Sequence, residues 1–272
     1  MKKYLFAIDL DGTLLYDFNT LNEEVIQTLK HIQSLGHLVV IATGRPYRSS
    51  RFAYEAFGLT TPIINYNGGL ITHPLDKTFP VVNLTIPKEY IIDIFETNVN
   101  LIRNAFSEVG DHIYLFEEEV EIEPLLHKTP DSQLSLGHLK DTLKEDPNGF
   151  IIIGKQGSGP AISDYVQRKY KGKVLSRIWN LHGEFDSIIE IYTPKNNKGT
   201  ALQYVADYLN VAPDQIVAIG DGHNDIDMIQ LAEVGVAVAG AHPELLSVAD
   251  IILSEGPKDN AVAHFIKSFL EL

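Results

Sequence analysis

The stretch "KKYLFAIDLDGTLL", residues 2–15, decides the fold. Its apolar run Leu5-Phe6-Ala7-Ile8 is short, nearly continuous and closed by a turn signal, which is how a strand buried on both faces reads. Two aspartates, Asp9 and Asp11, end the run ahead of Gly12-Thr13. Like charges two residues apart on an extended chain project to the same side and repel. Their position at the mouth of a buried strand therefore calls for a counter-charge.

Working outward, strand and helix patterns alternate. "NEEVIQTLKHIQSLG" is an amphipathic helix with Val25, Ile26, Leu29, Ile32 and Leu35 on one face and Gly36 at its end. "HLVVIATGR" reads as a second buried strand, "SSRFAYEAFGL" as a helix, and "PIINYNGGLI" as a strand opening into the turn Asn67-Gly68-Gly69. This order predicts a parallel sheet with right-handed crossovers. The same grammar returns late, with a helix in "NKGTALQYVADYLN", a strand and loop in "QIVAIGDGHND", and short alternating elements to the end. Helices are expected in "PELLSVAD" and "NAVAHFIKSFLEL", with the strand "IIL" between them.

The middle differs. Pairs of strands with short connections ("LIRNAFS" with "HIYLFEE", "KVLSRIWN" with "FDSIIEIYT") suggest an antiparallel sheet backed by helices. The expected architecture is α/β, a doubly wound parallel sheet in residues 1–83 and 194–272, with a smaller α+β domain inserted at 84–193. Pro87 and Pro194 lie near the two crossing points.

Composition narrows the function. The chain has 272 residues, 44% of them hydrophobic, enough for a substantial core. Its formal net charge of −14 gives no footprint for nucleic acid or an anionic membrane surface. The absence of cysteine removes disulfides, zinc–thiolate sites and cysteine nucleophiles. The N-terminal apolar run is too short for a signal peptide, and no stretch approaches the roughly 20 residues of a membrane span. A cytoplasmic location is the expectation.

Ligands of an open parallel sheet collect outside the carboxyl ends of its strands. Four polar clusters fall there: Asp9-Leu10-Asp11-Gly12-Thr13, Thr43-Gly44-Arg45, Lys198, and Gly220-Asp221-Gly222-His223-Asn224-Asp225. Clustered carboxylates raise one another's pKa unless a positive charge offsets them. A hard divalent cation removes that cost, and Mg²⁺ favours carboxylates together with substrate phosphate. One aspartate could then attack phosphorus while the other protonates the leaving group. Thr43 and Lys198 could hold phosphoryl oxygens, and Asp221 could complete the metal shell.

"DLDGT", "ATGR", "NNKG" and "GDGHND" resemble, in order and in strand context, the four motifs of the haloacid dehalogenase (HAD) superfamily phosphatases. The insertion, the "NYNGG" turn at 65–69 and the tail "VAVAGAHPELLSVADIIL" resemble the Cof-type subfamily with its α/β cap. The resemblance spans essentially the whole chain. It implies Asp9 as nucleophile forming an aspartyl-phosphate, and Asp11 as general acid and then base. It implies Mg²⁺ on the Asp9 carboxylate, the Asp11 carbonyl and Asp221, with Asp225 in support. Thr43, Gly44, Lys198 and Asn224, with the Leu10 backbone, would bind the phosphoryl group of a small phosphorylated metabolite. One departure is visible: relatives often carry Met-Gly-Asn-Ala where this chain has Val238-Ala239-Gly240-Ala241.

Competing readings stay open at this point. Asp9 and Asp11 could cap a strand-end turn, and Asp221, Asn224 and Asp225 could cap the helix near Ile226. Lys198 could be a solvated lysine, although a cation at a helix start calls for an anionic partner. Arg45 could bind substrate or tie the loop to an acidic neighbour. Trp179, His182 and Glu184 of the inserted domain could reach substrate, and Trp179 could equally pack within that domain. His223 and His242 read as loop bystanders. A sugar phosphomutase of the same superfamily, or a non-catalytic phosphate-binding module, remain the alternatives to a phosphatase.

Overall fold

The computed structural model describes residues 2–17, 19–179 and 185–272. The first part of the chain runs β1 (Leu5–Ile8), α1 (Glu23–Ser34), β2 (Leu38–Ile41), α2 (Tyr47–Ala56), β3 (Ile63–Asn65), β4 (Leu70–Thr72) and β5 (Val82–Asn83). The middle runs α3 (Lys88–Asn98), β6 (Ile102–Val109), β7 (His112–Leu115), β8 (Gln133–Leu136), α4 (Leu139–Thr142), β9 (Phe150–Gly154), α5 (Gly159–Lys169), β10 (Leu175–Trp179) and β11 (Ile188–Tyr192). The last part runs α6 (Lys198–Tyr208), β12 (Ile216–Gly220), α7 (Ile226–Leu231), β13 (Val234–Ala237), α8 (Pro243–Leu246), β14 (Ile251–Ile252) and α9 (Ala261–Leu270). Two compact units result, one of Met1–Pro46, Ser50–Val82 and Asn197–Leu272, the other of Tyr47–Ser49 with Asn83–Asn196.

The first unit is built on a five-stranded sheet of order β14-β13-β12-β1-β2, parallel at every pairing. β1 lies between β2 and β12, so its residues are buried on both faces, as the unbroken apolar run requires. Strand periodicity then divides the core. Leu5 and Ala7 join Leu202 and Val205 of α6 and Met228 of α7 in one cluster. Phe6 meets Phe269 of α9 edge-on at 6.2 Å between ring centroids. Each such buried large side chain contributes about 1.5–3 kcal/mol, and this packing fixes where the strands end.

Three details of this unit differ from expectation. Leu35 follows the end of α1 and is exposed, because the helix stops at Ser34 and its buried stripe is Val25, Leu29 and Ile32. The strand in "PIINYNGG" does not join the main sheet. β3 touches β2 only through an isolated parallel bridge, Ala42 with Ile64, and pairs antiparallel with β4. The helix expected across "PELLSVAD" covers only Pro243–Leu246.

The second unit is a six-stranded sheet of order β10-β11-β9-β6-β7-β8. Its pairings are antiparallel except β7 with β8, a parallel pair that sequence reading did not anticipate. Helices α3 and α5 pack on one face, where Ile91, Phe95, Ile162 and Val166 meet Ile152 and Ile189. No helix among the described residues is long and apolar enough to cross a membrane.

Candidate active site

The chain leaves the sheet immediately after Ile8. The N–H of Asp9 still bonds to the carbonyl of Ile219 on β12 at 3.0 Å, but the carbonyl of Leu10 accepts from Leu14 and Leu15 at 2.9 and 2.8 Å. Residues 10–15 thus form a turn, and the period-2 argument that put Asp9 and Asp11 on one side lapses there. Asp9 is 5% exposed and points at Lys198. The Asp11 carboxylate is about half exposed and takes both Nε and Nη2 of Arg45, at 2.8 and 2.5 Å. Arg45 is therefore bound to an acidic neighbour, one of its two expected roles.

Lys198 is the centre of the site. It is the first residue of α6, fully buried, and its ammonium donates to Asp9 Oδ1 and Asp225 Oδ1 at 2.6 Å each. The solvated-lysine reading is excluded by this burial, and the anionic partner that a helix-start cation needs is supplied twice. Its helix is capped by Asn197, whose side chain accepts from the Thr200 N–H at 2.8 Å. Close approach of α6 to α7 depends on Gly199, where a Cβ would come within 2.5 Å of the Asp227 carbonyl oxygen.

Asp225 anchors the loop after β12 rather than capping α7. Its Oδ2 accepts from the N–H groups of Asp221 and Gly222 at 3.1 and 2.8 Å, and no side-chain cap bond to α7 is formed. Asp221 accepts from the Thr13 hydroxyl at 2.8 Å. Gly12, with φ of +78°, lies under it, and a Cβ there would sit 2.4 Å from Asp221 Oδ2. The glycine is required both by its backbone and by the space.

Carboxylate oxygens of Asp9, Asp221 and Asp225 all lie within 4.8 Å of one another. Three carboxylates against one ammonium leave an excess of two negative charges. The electrostatics follow. Burial raises the Asp9 carboxyl well above its ordinary value; Lys198 pulls it back, and Asp225 and Asp221 push it further up. Burial and the Asp225 charge push Asp221 up to about 6. Burial alone would lower the Lys198 pKa, but Asp225 and Asp9 outweigh it and hold the group cationic. An all-oxygen donor set with two uncompensated charges suits a hard divalent cation. The Asp11 carboxylate is not in this set.

Thr43, fully buried at the end of β2, receives the Arg45 N–H on Oγ1 at 3.1 Å. Gly44 lies under Asn67, whose Oδ1 would be 3.3 Å from an added Cβ. Asn67 Oδ1 accepts from Asn224 Nδ2 at 2.8 Å. In the sequence "NYNGG" reads as a turn and gives Asn67 no part in the site; the Asn-Gly pair is the available signal. His223 and His242 stack edge-to-face at 5.4 Å, and the His242 N–H donates to the Asp221 carbonyl at 2.7 Å. Gly240 adopts φ of +82° with open space around a Cβ, so a glycine or an asparagine suits that backbone. Trp179 ends β10 and is 40% exposed; His182 and Glu184 lie outside the described residues.

Residues 6–266 match the haloacid dehalogenase-like hydrolase family, and the chain belongs to it. It is 34% identical over 276 residues to the 5-amino-6-(5-phospho-D-ribitylamino)uracil phosphatase YitU of Bacillus subtilis (strain 168), covering 100% of this chain and 99% of that one. It is 26% identical over 286 residues to phosphatase YwpJ of the same organism, covering 98% and 99%. Its fold is similar to that of a haloacid dehalogenase-like hydrolase from Bacteroides thetaiotaomicron (TM-score 0.82, 23% identity, 98% of this chain and 100% of that one). It is also similar to TM0651 from Thermotoga maritima (TM-score 0.81, 24% identity, 98% and 97%). Family and relatives make the chain an enzyme of the phosphomonoesterase kind.

Proposed function

We propose that the chain is a Mg²⁺-dependent phosphatase of small phosphorylated metabolites, working through an aspartyl-phosphate on Asp9. The observation that carries this reading is the buried Asp9–Lys198–Asp225 chain beside Asp221, with its two excess negative charges. The Asp9 and Asp221 carboxylates and the Asp11 carbonyl would hold the cation, with Asp225 in support. When bound, the cation would offset negative charge on the carboxylates and on the substrate phosphate.

In this reading a carboxylate oxygen of Asp9 attacks phosphorus, and the bond from phosphorus to the alcohol oxygen breaks. Asp11 gives a proton to that oxygen, and the alcohol leaves. A water molecule then attacks the aspartyl-phosphate, Asp11 takes its proton, and inorganic phosphate and free Asp9 are restored. Lys198 keeps Asp9 aligned and offsets charge on the phosphoryl oxygens, while Thr43, the Gly44 and Leu10 backbones and Asn224 receive the rest. Arg45 donates to both Asp11 oxygens and holds that carboxyl in place.

The substrate is proposed to be a phosphate ester of a polar alcohol, either a sugar phosphate or a phosphorylated cofactor precursor. The named substrate of the 34%-identical relative, a phosphoribitylamino-uracil, supports the second class. Substrate choice is assigned to the inserted residues 84–193, with exposed Trp179 as the described candidate contact.

The test is release of inorganic phosphate from a panel of phosphorylated metabolites, with Mg²⁺ and with EDTA. Turnover that needs Mg²⁺, together with a trapped phosphoenzyme at Asp9, is the expected result. Undiminished turnover in chelator overturns the metal assignment, and a phosphoenzyme at another residue overturns the nucleophile.

A further inference from the structure

The segment Asn65–Gly68 holds three consecutive residues in the left-handed region: Tyr66 at φ +48°, Asn67 at +54° and Gly68 at +96°. Only the last is a glycine. A bulky aromatic residue there is a true outlier, and each such non-glycine is strained unless its surroundings hold it. The surroundings do so, and they come from the Thr43–Arg45 and Gly220–Asp225 clusters and from Asn197, the residue before Lys198. The Asn67 N–H donates to the Thr43 carbonyl at 3.0 Å, and the Tyr66 N–H to the Arg45 carbonyl at 3.3 Å. Asn65 Nδ2 donates to the same Arg45 carbonyl at 2.9 Å. Gly68 presses on the start of α6, where an added Cβ would stand 2.5 Å from the Asn197 carbonyl oxygen. Asn67 reaches the Gly220–Asp225 cluster through Asn224.

We infer that this segment is a strap that sets the phosphoryl-binding groups in register, and that Asn67 is its positioning residue. A primary amide carries two coplanar hydrogens. With one hydrogen of Asn224 Nδ2 committed to Asn67 Oδ1, rotation of the Asn224 amide is restrained, and with it the direction of its second N–H. The same Asn67 amide lies over Gly44, where an added Cβ would be 3.3 Å from its Oδ1 and 3.4 Å from its Nδ2. One side chain therefore fixes an amide donor from the loop after β12 relative to the backbone of the loop after β2. Conformation alone would favour glycine at position 67. Asparagine there costs more backbone energy and brings only its amide, which is what the site uses.

The inference rests on reading the site as one that binds a phosphoryl group. Its test is binding of inorganic phosphate, measured by calorimetry in Mg²⁺, for wild type, Asn67→Gly, Asn224→Ala and the double variant. Glycine keeps the left-handed backbone, so Asn67→Gly should melt close to wild type. Losing the hydrogen bond that orients Asn224 should weaken phosphate by about tenfold and raise KM more than it lowers kcat. With Asn224 already truncated, Asn67→Gly should change phosphate affinity less than twofold.

Phosphate affinity unchanged in Asn67→Gly overturns the inference. So does an equal loss on the wild-type and Asn224→Ala backgrounds, or a wild-type chain that binds no phosphate. A wild type that binds phosphate yet hydrolyses no phosphomonoester would overturn the phosphatase reading alone, leaving the strap to be judged on the binding constants.

Discussion

Replacing Lys198 with methionine removes the one positive charge among Asp9, Asp221 and Asp225 while keeping a side chain of similar length. Lys198 is fully buried and donates at 2.6 Å to both Asp9 and Asp225. Removing one partner of a buried ion pair costs about 3–5 kcal/mol, because the abandoned charges stay out of water. For a chain of this size that loss lowers Tm by about 6–20 °C. The deficit should depend on pH in a defined direction. Without Lys198 the repulsion in the cluster is relieved only as the Asp9 and Asp221 carboxyls take up protons, which they do more readily at pH 5 than at pH 7.5. Thermal melts of Lys198→Met and wild type in EDTA should therefore show a larger gap at pH 7.5 than at pH 5. Saturating Mg²⁺ should narrow the gap at pH 7.5, because three carboxylates without the ammonium bind the cation more tightly than the wild-type site and so gain more folded-state stability from it. A loss below about 1 kcal/mol at pH 7.5, or an equal loss at both pH values, would refute the claim that charge imbalance governs this cluster.

Further outcomes follow from the same geometry. Gly12→Ala should fold but bind Mg²⁺ more weakly and turn over more slowly, because its Cβ would meet Asp221 Oδ2 at 2.4 Å; metal titration of the variant checks this, and wild-type affinity would contradict it. Metal-free wild type should lose stability as pH rises. The folded-state pKa of Asp221 is pushed up from 3.8 to about 6, so its protonated form favours folding, and that contribution fades between about pH 4 and 6. The loss is about 3 kcal/mol at most from this carboxyl; urea melts at pH 4.5 and 7 read it, and a rise in its place would reverse the argument. Asp11→Asn should cost about 10²–10⁴-fold on a sugar phosphate and much less on p-nitrophenyl phosphate, whose leaving group departs without a proton; equal losses on both esters would rule out Asp11 as the acid.

Much of the first unit was legible because its code is local. A four-residue run buried on both faces has one reading, and "LFAI" occupies the interior position of the sheet that the run implies. The limits were equally physical. Leu35 continued the apolar stripe of α1 in sequence, but nothing local says whether a helix ends one residue before or after it. β3 has the composition of a core strand, yet it bridges β2 at one residue pair and turns instead into a hairpin with β4. β8 presents exposed Leu134 and Leu136, so its pattern carried no inward face to read.

The polar site divides along the same line. Residue type and strand-end position were enough to single out Asp9, Lys198, Asp221 and Asp225, because a carboxylate or ammonium beside a buried strand needs a partner. Which partner each takes depends on loop paths that no period encodes. Asp11 parts from Asp9 because the Leu10 carbonyl collects the N–H groups of Leu14 and Leu15 and curls the chain. Asn67 and Asn224 meet across 157 residues through a left-handed turn that sequence marks only as flexible. Asp225 could be read as a helix cap because the cap and the anchor need the same residue at the same place. Burial decides between them: Asp225 places its Oδ1 on Lys198 and its Oδ2 on two loop N–H groups, and makes no side-chain cap bond to α7. The aspartates at the mouth of the core are thus tolerated by being apportioned, one to Arg45 and one to the Lys198 chain, and the charge still unbalanced at Asp221 is what a cation would meet.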